Sequence, residues 1–148
     1  MNNPRIKEFG LIFLISYLGI LPLILVFIDI NIINFFKITL LKEFIFFYTL
    51  IIFTFIGAMR WNFYKNSNTL RILYGFIPSL ISTFLIMFKL LNFNLLLGFL
   101  LINLCLILQL FCDFIFCKKN DVEKHFFYTV RLPVTLILVL NIFYLISV

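Results

Sequence analysis

Long apolar stretches are the feature of this sequence that most restricts its fold. A helix needs about 20 mostly apolar residues to cross a hydrocarbon core of about 30 Å. Five stretches are long enough or nearly so, at residues 9–28, 44–60, 72–88, 93–116 and 130–148. They lack the alternation of polar and apolar residues that a membrane-spanning β-barrel requires. The pattern predicts an all-α polytopic membrane bundle of five transmembrane helices, with residues 1–148 forming a single transmembrane domain.

The scarcity of charged residues supports this prediction. Of the 148 residues, 64% are hydrophobic and only 12% are charged, whereas about 25% of residues are charged in a typical soluble domain. So few charges do not cover a folded surface in water, which excludes a soluble globular protein. A disordered chain is excluded as well, because disorder requires low hydrophobicity.

The positions of the basic residues predict an orientation in the membrane. Nine of the twelve Lys and Arg residues fall on the side that holds the N-terminus, and three fall on the other side. Cytoplasmic loops of membrane proteins are enriched in Lys and Arg, so we expect a cytoplasmic N-terminus and an external C-terminus. The net charge of +6 then reflects topology and attraction to anionic lipid headgroups, and we expect no binding of nucleic acid.

Two connections between the apolar stretches contain both charged and apolar residues. Residues 29–43 are the longest connection, and either an amphipathic helix on the outer surface or a hydrophobic loop fits them. Residues 118–129 are predicted to be a solvated loop that contains His125, the single histidine. One histidine beside two carboxylates is too little for a metal site, so no metal ligand is predicted.

Polar residues within or beside the apolar stretches are the candidate functional residues. A charged side chain at the centre of a membrane helix costs about 2.5–3.5 kcal/mol on insertion scales, so Asp113 requires an explanation. We expect Asp113 to pair with Arg131, because consecutive helices joined by a short loop are usually neighbours. We give the name polar cluster to the residues that the predicted topology brings to the cytoplasmic end of the bundle. They are Arg60, Trp61, Tyr74, Ser79, Gln109, Asp113, Tyr128 and Arg131.

The polar cluster has two interpretations at this stage. In the structural one, Arg, Trp and Tyr occupy the membrane interface as they do in many membrane proteins, and Asp113 only neutralises an arginine. In the functional one, the same residues line a polar pocket. The sequence contains no nucleophile–base pair, glycine-rich phosphate loop or metal-binding motif. We therefore predict no catalytic residue, no metal and no cofactor, and we expect a protein that is not an enzyme.

Three short motifs and one aspartate resemble a known family. The motifs are GAMRW at 57–61, YGFIPSL at 74–80 and FYTVRLPVT at 127–135, and Asp113 lies between the last two. Their order and spacing are similar to those of the membrane family catalogued as domain of unknown function 3429, which includes mitochondrial transmembrane protein 69. Arg60, Asn62 and Phe127 stand where that family has His, Gly and Trp. The resemblance implies the inner membrane of bacteria or mitochondria, and the family has no established activity.

Two functions are expected from these observations. In the first, an inner-membrane protein uses the polar cluster to bind anionic lipid headgroups or a membrane protein partner, or to assemble with one. In the second, the chain is a small carrier for protons or a small anion. Asp113 would then take up the proton, and Arg60 or Arg131 would bind the anion.

Overall fold

The computed structural model describes residues 13–59, 69–117 and 121–148, and all regular secondary structure in these ranges is helical. Within them, five helices are long and apolar enough to cross a membrane. This confirms the prediction of an all-α chain with five helices of membrane-spanning length. The five are α1 (Phe13–Ile33), α2 (Ile38–Ala58), α3 (Thr69–Leu90), α4 (Leu95–Cys117) and α5 (Glu123–Ser147).

Both predicted connections turn out to be largely helical. α1 continues to Ile33 and α2 begins at Ile38, so only residues 34–37 connect them. The prediction of a separate surface helix or a long loop over residues 29–43 is therefore wrong. The loop predicted at 118–129 is also wrong, because Asp121–Phe126 is α-helical and places His125 on a helix. Hydropathy misses these terminal helical turns because the ends of membrane helices accept polar residues, which lower the mean hydropathy of the segment.

The chain divides into two compact units. Unit 1 consists of residues 1–37 and 103–148, and unit 2 consists of residues 38–102. The division falls within α4, so its first turns belong to unit 2 and the remainder to unit 1. The single transmembrane domain expected from the sequence stays a prediction.

α1 contains two irregular turns that its sequence explains. Pro22 lacks the N–H that would bind the carbonyl of Leu18, and the helix is interrupted by a turn at Gly19 and Ile20 before it resumes. The helix ends in a π-helical turn over Asp29–Ile33. Asn34 then adopts the left-handed conformation, with φ of 53°, which Asn tolerates better than most residues and which ends the helix.

A proline also accounts for the irregular start of α5. Pro133 has no N–H to donate to the carbonyl of Thr129, four residues earlier. The helix adopts a π-helical turn at Phe127–Arg131, in which the Leu132 N–H binds the carbonyl of Phe127. The hydroxyl of Tyr17 donates to the Thr129 oxygen at 2.8 Å. A side chain of α1 therefore satisfies the carbonyl that Pro133 leaves without its helical donor.

Two hydrogen bonds show that α1 and α5 run in the same direction. Tyr17 and Thr129 lie near the beginnings of the two helices. Near their ends, the hydroxyl of Tyr144 donates to Asn31 Oδ1 at 2.8 Å. The two contacts are 14 residues apart in α1 and 15 apart in α5, about 21–23 Å in either helix. Because the two distances agree, α1 and α5 run parallel to each other between these contacts.

In unit 2, α2 and α3 pack as an antiparallel pair. A Cβ atom on Gly57 would lie only 2.7 Å from Pro78 Cγ and 3.0 Å from the Gly75 oxygen, so the two backbones approach closely there. Contacts recur every seven residues along each helix, which is typical of left-handed helix packing. The contacting pairs are Gly57 with Gly75, Leu50 with Ser82 (3.4 Å, hydroxyl to carbonyl) and Glu43 with Lys89 (2.9 Å, ion pair).

Candidate functional site

A buried ion pair joins the last turns of α4 to the first turns of α5. Arg131 Nη1 lies 3.6 Å from Asp113 Oδ2, and the two side chains are only 5% and 2% exposed. This confirms the predicted pairing of Asp113 with Arg131. The distance exceeds that of a hydrogen bond, so this contact is an ion pair. Its burial separates both charges from solvent.

Aromatic residues lie on the same turns of the two helices as this ion pair. The Arg131 guanidinium carbon lies 5.8 Å from the centre of the Phe126 ring, within the range of a cation–π interaction. The rings of Phe114 and Phe127, one on each helix, have their centres 5.8 Å apart. In such apolar surroundings either charge alone would be strongly unfavourable, and each is tolerated because the other is present.

Two further polar side chains lie one helical turn away from the ion pair. Gln109 precedes Asp113 by four residues, Thr135 follows Arg131 by four, and both are buried. Gln109 was expected to share the face of Asp113, and its burial is consistent with that. Thr135 was not among the predicted site residues, although its spacing from Arg131 is the same signal that identified Gln109.

The other predicted members of the polar cluster have different surroundings. Tyr128 is 49% exposed and makes an edge-on contact with the ring of Phe127, so it does not share the buried environment of the ion pair. Tyr74 and Ser79 belong to α3 in unit 2 and are partly exposed. Arg60 and Trp61 lie outside the described residues.

Two asparagines that were not predicted as site residues prove to be distinctive. Asn103 is 3% exposed, and neither atom of its amide group has a hydrogen-bond partner among the described residues. The same holds for the buried Oδ1 atom of Asn141. Most buried polar groups in proteins are hydrogen-bonded. The signal that could have identified both asparagines in the sequence is a side-chain amide within an otherwise apolar stretch.

Asp29 is the fourth residue that the sequence interpretation missed. Its carboxylate is buried and accepts hydrogen bonds from the backbone N–H groups of Phe35 and Phe36, at 3.3 and 3.2 Å. These bonds fold the chain back after the last turn of α1. The role of Asp29 is thus to hold the connection to α2 in place.

Comparison with family models, with curated proteins and with solved structures finds no match for this chain. The resemblance to domain of unknown function 3429 therefore stays a prediction. The chemistry of the site rests on the described residues alone, which provide a closed ion pair and a set of buried, uncharged polar groups.

Proposed function

We propose that this chain is a multi-pass protein of the bacterial inner membrane, or of the mitochondrial inner membrane in a eukaryote. Its N-terminus lies in the cytoplasm or matrix, and its C-terminus lies outside. The nine-to-three distribution of basic residues supports this orientation. The parallel course of α1 and α5 supports only the placement of the two termini on opposite sides of the membrane, because the first and fifth of five successive spans run the same way.

Cysteine labelling tests this topology. The three native cysteines are replaced by serine, and a single cysteine is introduced as Asn3→Cys or as Phe36→Cys. In intact cells, a membrane-impermeant maleimide is expected to label the Phe36→Cys variant and to label the Asn3→Cys variant only after lysis. The reverse pattern would invert the orientation.

The function that we propose first is non-enzymatic binding or assembly through the polar cluster. The observation that carries it is the closed Asp113–Arg131 pair. Groups that act on a substrate must reach it, whereas these two side chains are buried against each other. The pair is suited to hold α4 against α5 and thereby to fix the first turns of α5. Lys124, His125 and Tyr128 are exposed on those turns.

A basic and aromatic surface at a membrane interface suits an anionic lipid headgroup. The ligand is therefore such a headgroup or an acidic segment of a membrane protein. The bilayer itself is the partner of the apolar faces.

Lipid retention and co-purification test this function. The protein is purified in a mild detergent, and bound phosphatidylglycerol and cardiolipin are compared with phosphatidylcholine by native mass spectrometry. Lys124→Gln combined with Tyr128→Ala is expected to reduce retention of the anionic lipids, whereas the control Lys37→Gln is not. The proposal fails if the wild type retains no anionic lipid and no membrane protein co-elutes with it.

A second candidate function is a small carrier for protons or a small anion. The observation that favours it is the set of buried polar residues in unit 1 that continues from the ion pair, namely Gln109, Thr135 and Asn103. An anion would need access to an arginine, and Arg131 is already neutralised by Asp113. The proton is therefore the better substrate. Flux into proteoliposomes, compared with empty vesicles, tests the carrier.

A further inference from the structure

The irregular start of α5 leaves one backbone carbonyl without a donor from its own helix. In an α-helix the carbonyl of Tyr128 would accept from the N–H of Leu132, and in a π-helix it would accept from the N–H of residue 133. The Leu132 N–H is bonded to the carbonyl of Phe127 instead, and Pro133 has no N–H. Neither helical donor is therefore left for Tyr128.

Side chains of the described residues do not replace the missing donor. The hydroxyl of Tyr17 donates to the carbonyl of Thr129, and the hydroxyl of Thr129 donates to the carbonyl of His125 at 2.8 Å. Both hydroxyls beside the turn are thus bonded elsewhere. An unpaired backbone carbonyl away from water is costly, so the Tyr128 carbonyl is suited to accept a hydrogen bond from a bound molecule.

The exposed face that carries this carbonyl presents a cation, an acceptor and apolar side chains in succession. Lys124 and Tyr128 are exposed and lie four residues apart, which places them on one face of the helix. Leu132 and Leu136 follow at the same spacing, and Leu136 is 46% exposed. Phosphate, hydroxyl and acyl chain are the groups of a phospholipid that match this succession from the membrane surface inward.

We propose that the Tyr128 carbonyl accepts a hydrogen bond from a hydroxyl group of an anionic phospholipid whose phosphate is bound by Lys124. This inference rests on the headgroup binding proposed above and names the class of lipid. Lys124 and Tyr128 are about 6 Å apart along the helix axis, and a glycerol hydroxyl is only a few bonds away from its phosphate. A carbonyl accepts but cannot donate, so it selects the lipid that carries a donor from lipids of equal charge.

Two parts of a phospholipid provide such a hydroxyl. In phosphatidylglycerol the hydroxyl belongs to the headgroup, and in a monoacyl phospholipid it belongs to the glycerol backbone. The carbonyls of a helix point toward its C-terminal end. The Tyr128 oxygen therefore points from the membrane surface toward the interior, which is the direction of the glycerol backbone.

Native mass spectrometry of the purified protein with lipids of equal charge tests the proposal. Phosphatidylglycerol is compared with phosphatidylmethanol, which keeps the phosphodiester and has no hydroxyl. Monoacyl phosphatidylmethanol is compared with its 2-O-methyl ether, which lacks only the backbone donor. In at least one pair the lipid with the hydroxyl is expected to bind about two- to tenfold more tightly, the effect of one hydrogen bond. The pair that shows this preference identifies the source of the hydroxyl.

Removing the proline tests the role of the carbonyl. Pro133→Ala supplies the missing N–H and allows a regular α-helix, in which the Leu132 N–H serves the Tyr128 carbonyl. This variant is expected to lose the preference for the hydroxyl lipid and to keep binding anionic lipids through Lys124. Pro22→Ala is the matched control, because it restores an N–H within α1 and leaves the residues of the turn unchanged. Its lipid preference is expected to equal that of the wild type.

The outcomes separate this inference from the function on which it rests. If the wild type binds no anionic lipid, the proposed lipid ligand and this inference both fail. Equal binding within both lipid pairs means that water alone serves the carbonyl, which overturns this inference and leaves headgroup binding standing. A preference that survives Pro133→Ala also overturns it. If Pro133→Ala does not fold, the two lipid pairs on the wild type decide.

Discussion

The two units hold their helices together by different means. In unit 1, side chains distant in sequence make polar contacts, namely the bonds of Tyr17 and Tyr144 and the Asp113–Arg131 pair. In unit 2, two backbones approach closely at Gly57, and contacts repeat every seven residues. Lipid supplies little hydrophobic driving force between helices, so small-residue packing and interhelical polar contacts remain. In this chain, interhelical polar contacts predominate in unit 1 and small-residue packing predominates in unit 2.

Each unit also contains a buried polar side chain without a hydrogen-bond partner among the described residues. In unit 2 it is the hydroxyl of Thr49, and in unit 1 it is the amide of Asn103. A threonine in a helix can rotate its hydroxyl to the carbonyl one turn earlier. An asparagine amide has more groups to satisfy and no equivalent local solution. Burial of the Asn103 amide in unit 1 is therefore more costly than burial of the Thr49 hydroxyl in unit 2.

The largest effect is expected from breaking the buried ion pair. Asp113→Leu leaves Arg131 charged in apolar surroundings, which should destabilise the protein by about 3–5 kcal/mol. Adding Arg131→Met removes the isolated charge and should recover most of that loss. Equilibrium unfolding in mixed micelles measures both variants. A double variant as unstable as the single one would show that the pair contributes more than mutual neutralisation.

A smaller loss is expected from adding one methyl group to unit 2. Gly57→Ala places a carbon against Pro78 and the backbone of Gly75, so overpacking should cost about 1–3 kcal/mol. The matched control is Gly98→Ala, whose Cβ would meet the edge of the Phe46 ring at 2.9 Å. A ring can shift more easily than a backbone. Equal losses in the two variants would contradict the close approach of α2 and α3 as the main constraint in unit 2.

The hydrogen bond of Tyr17 should contribute less. Tyr17→Phe removes the donor to the Thr129 carbonyl, at a cost of about 0.6–1.7 kcal/mol. In a Pro133→Ala background the N–H of residue 133 again serves that carbonyl, so Tyr17→Phe should have almost no effect. A double-mutant cycle on thermal unfolding measures the difference. An unchanged cost in both backgrounds would separate the Tyr17 bond from the proline.

The smallest effect is expected from the ion pair of unit 2. Glu43→Gln removes the partner of Lys89, but the two side chains are 48% and 23% exposed. Partly exposed ion pairs contribute about 0–1 kcal/mol and weaken with salt. The difference in unfolding free energy between the wild type and Glu43→Gln should therefore be small at low salt and disappear at high salt. A loss as large as that of Asp113→Leu would mean that burial does not distinguish the two pairs.

Several features of the site could be predicted from the sequence. Asp113 and Arg131 stand near the facing ends of consecutive apolar stretches, so their pairing follows from chain connectivity. The sequence did not identify Asp29, because a carboxylate that ends an apolar stretch resembles the start of a loop. It also left Asn103 unremarked as a site residue, because hydropathy does not show which face of a helix is buried. The contribution of Arg60 and Trp61 stays a prediction.

The helical class, the five long apolar helices and the partners of the ion pair could be read from the sequence, because they depend on local hydropathy and on neighbouring segments. The tertiary structure alone decided that Tyr17 serves the carbonyl freed by Pro133, 116 residues further along the chain. It also decided that α1 lies parallel to α5 and that Asn103 is buried with its amide unsatisfied among the described residues. These features depend on contacts between distant segments, and no local pattern encodes which helix faces meet.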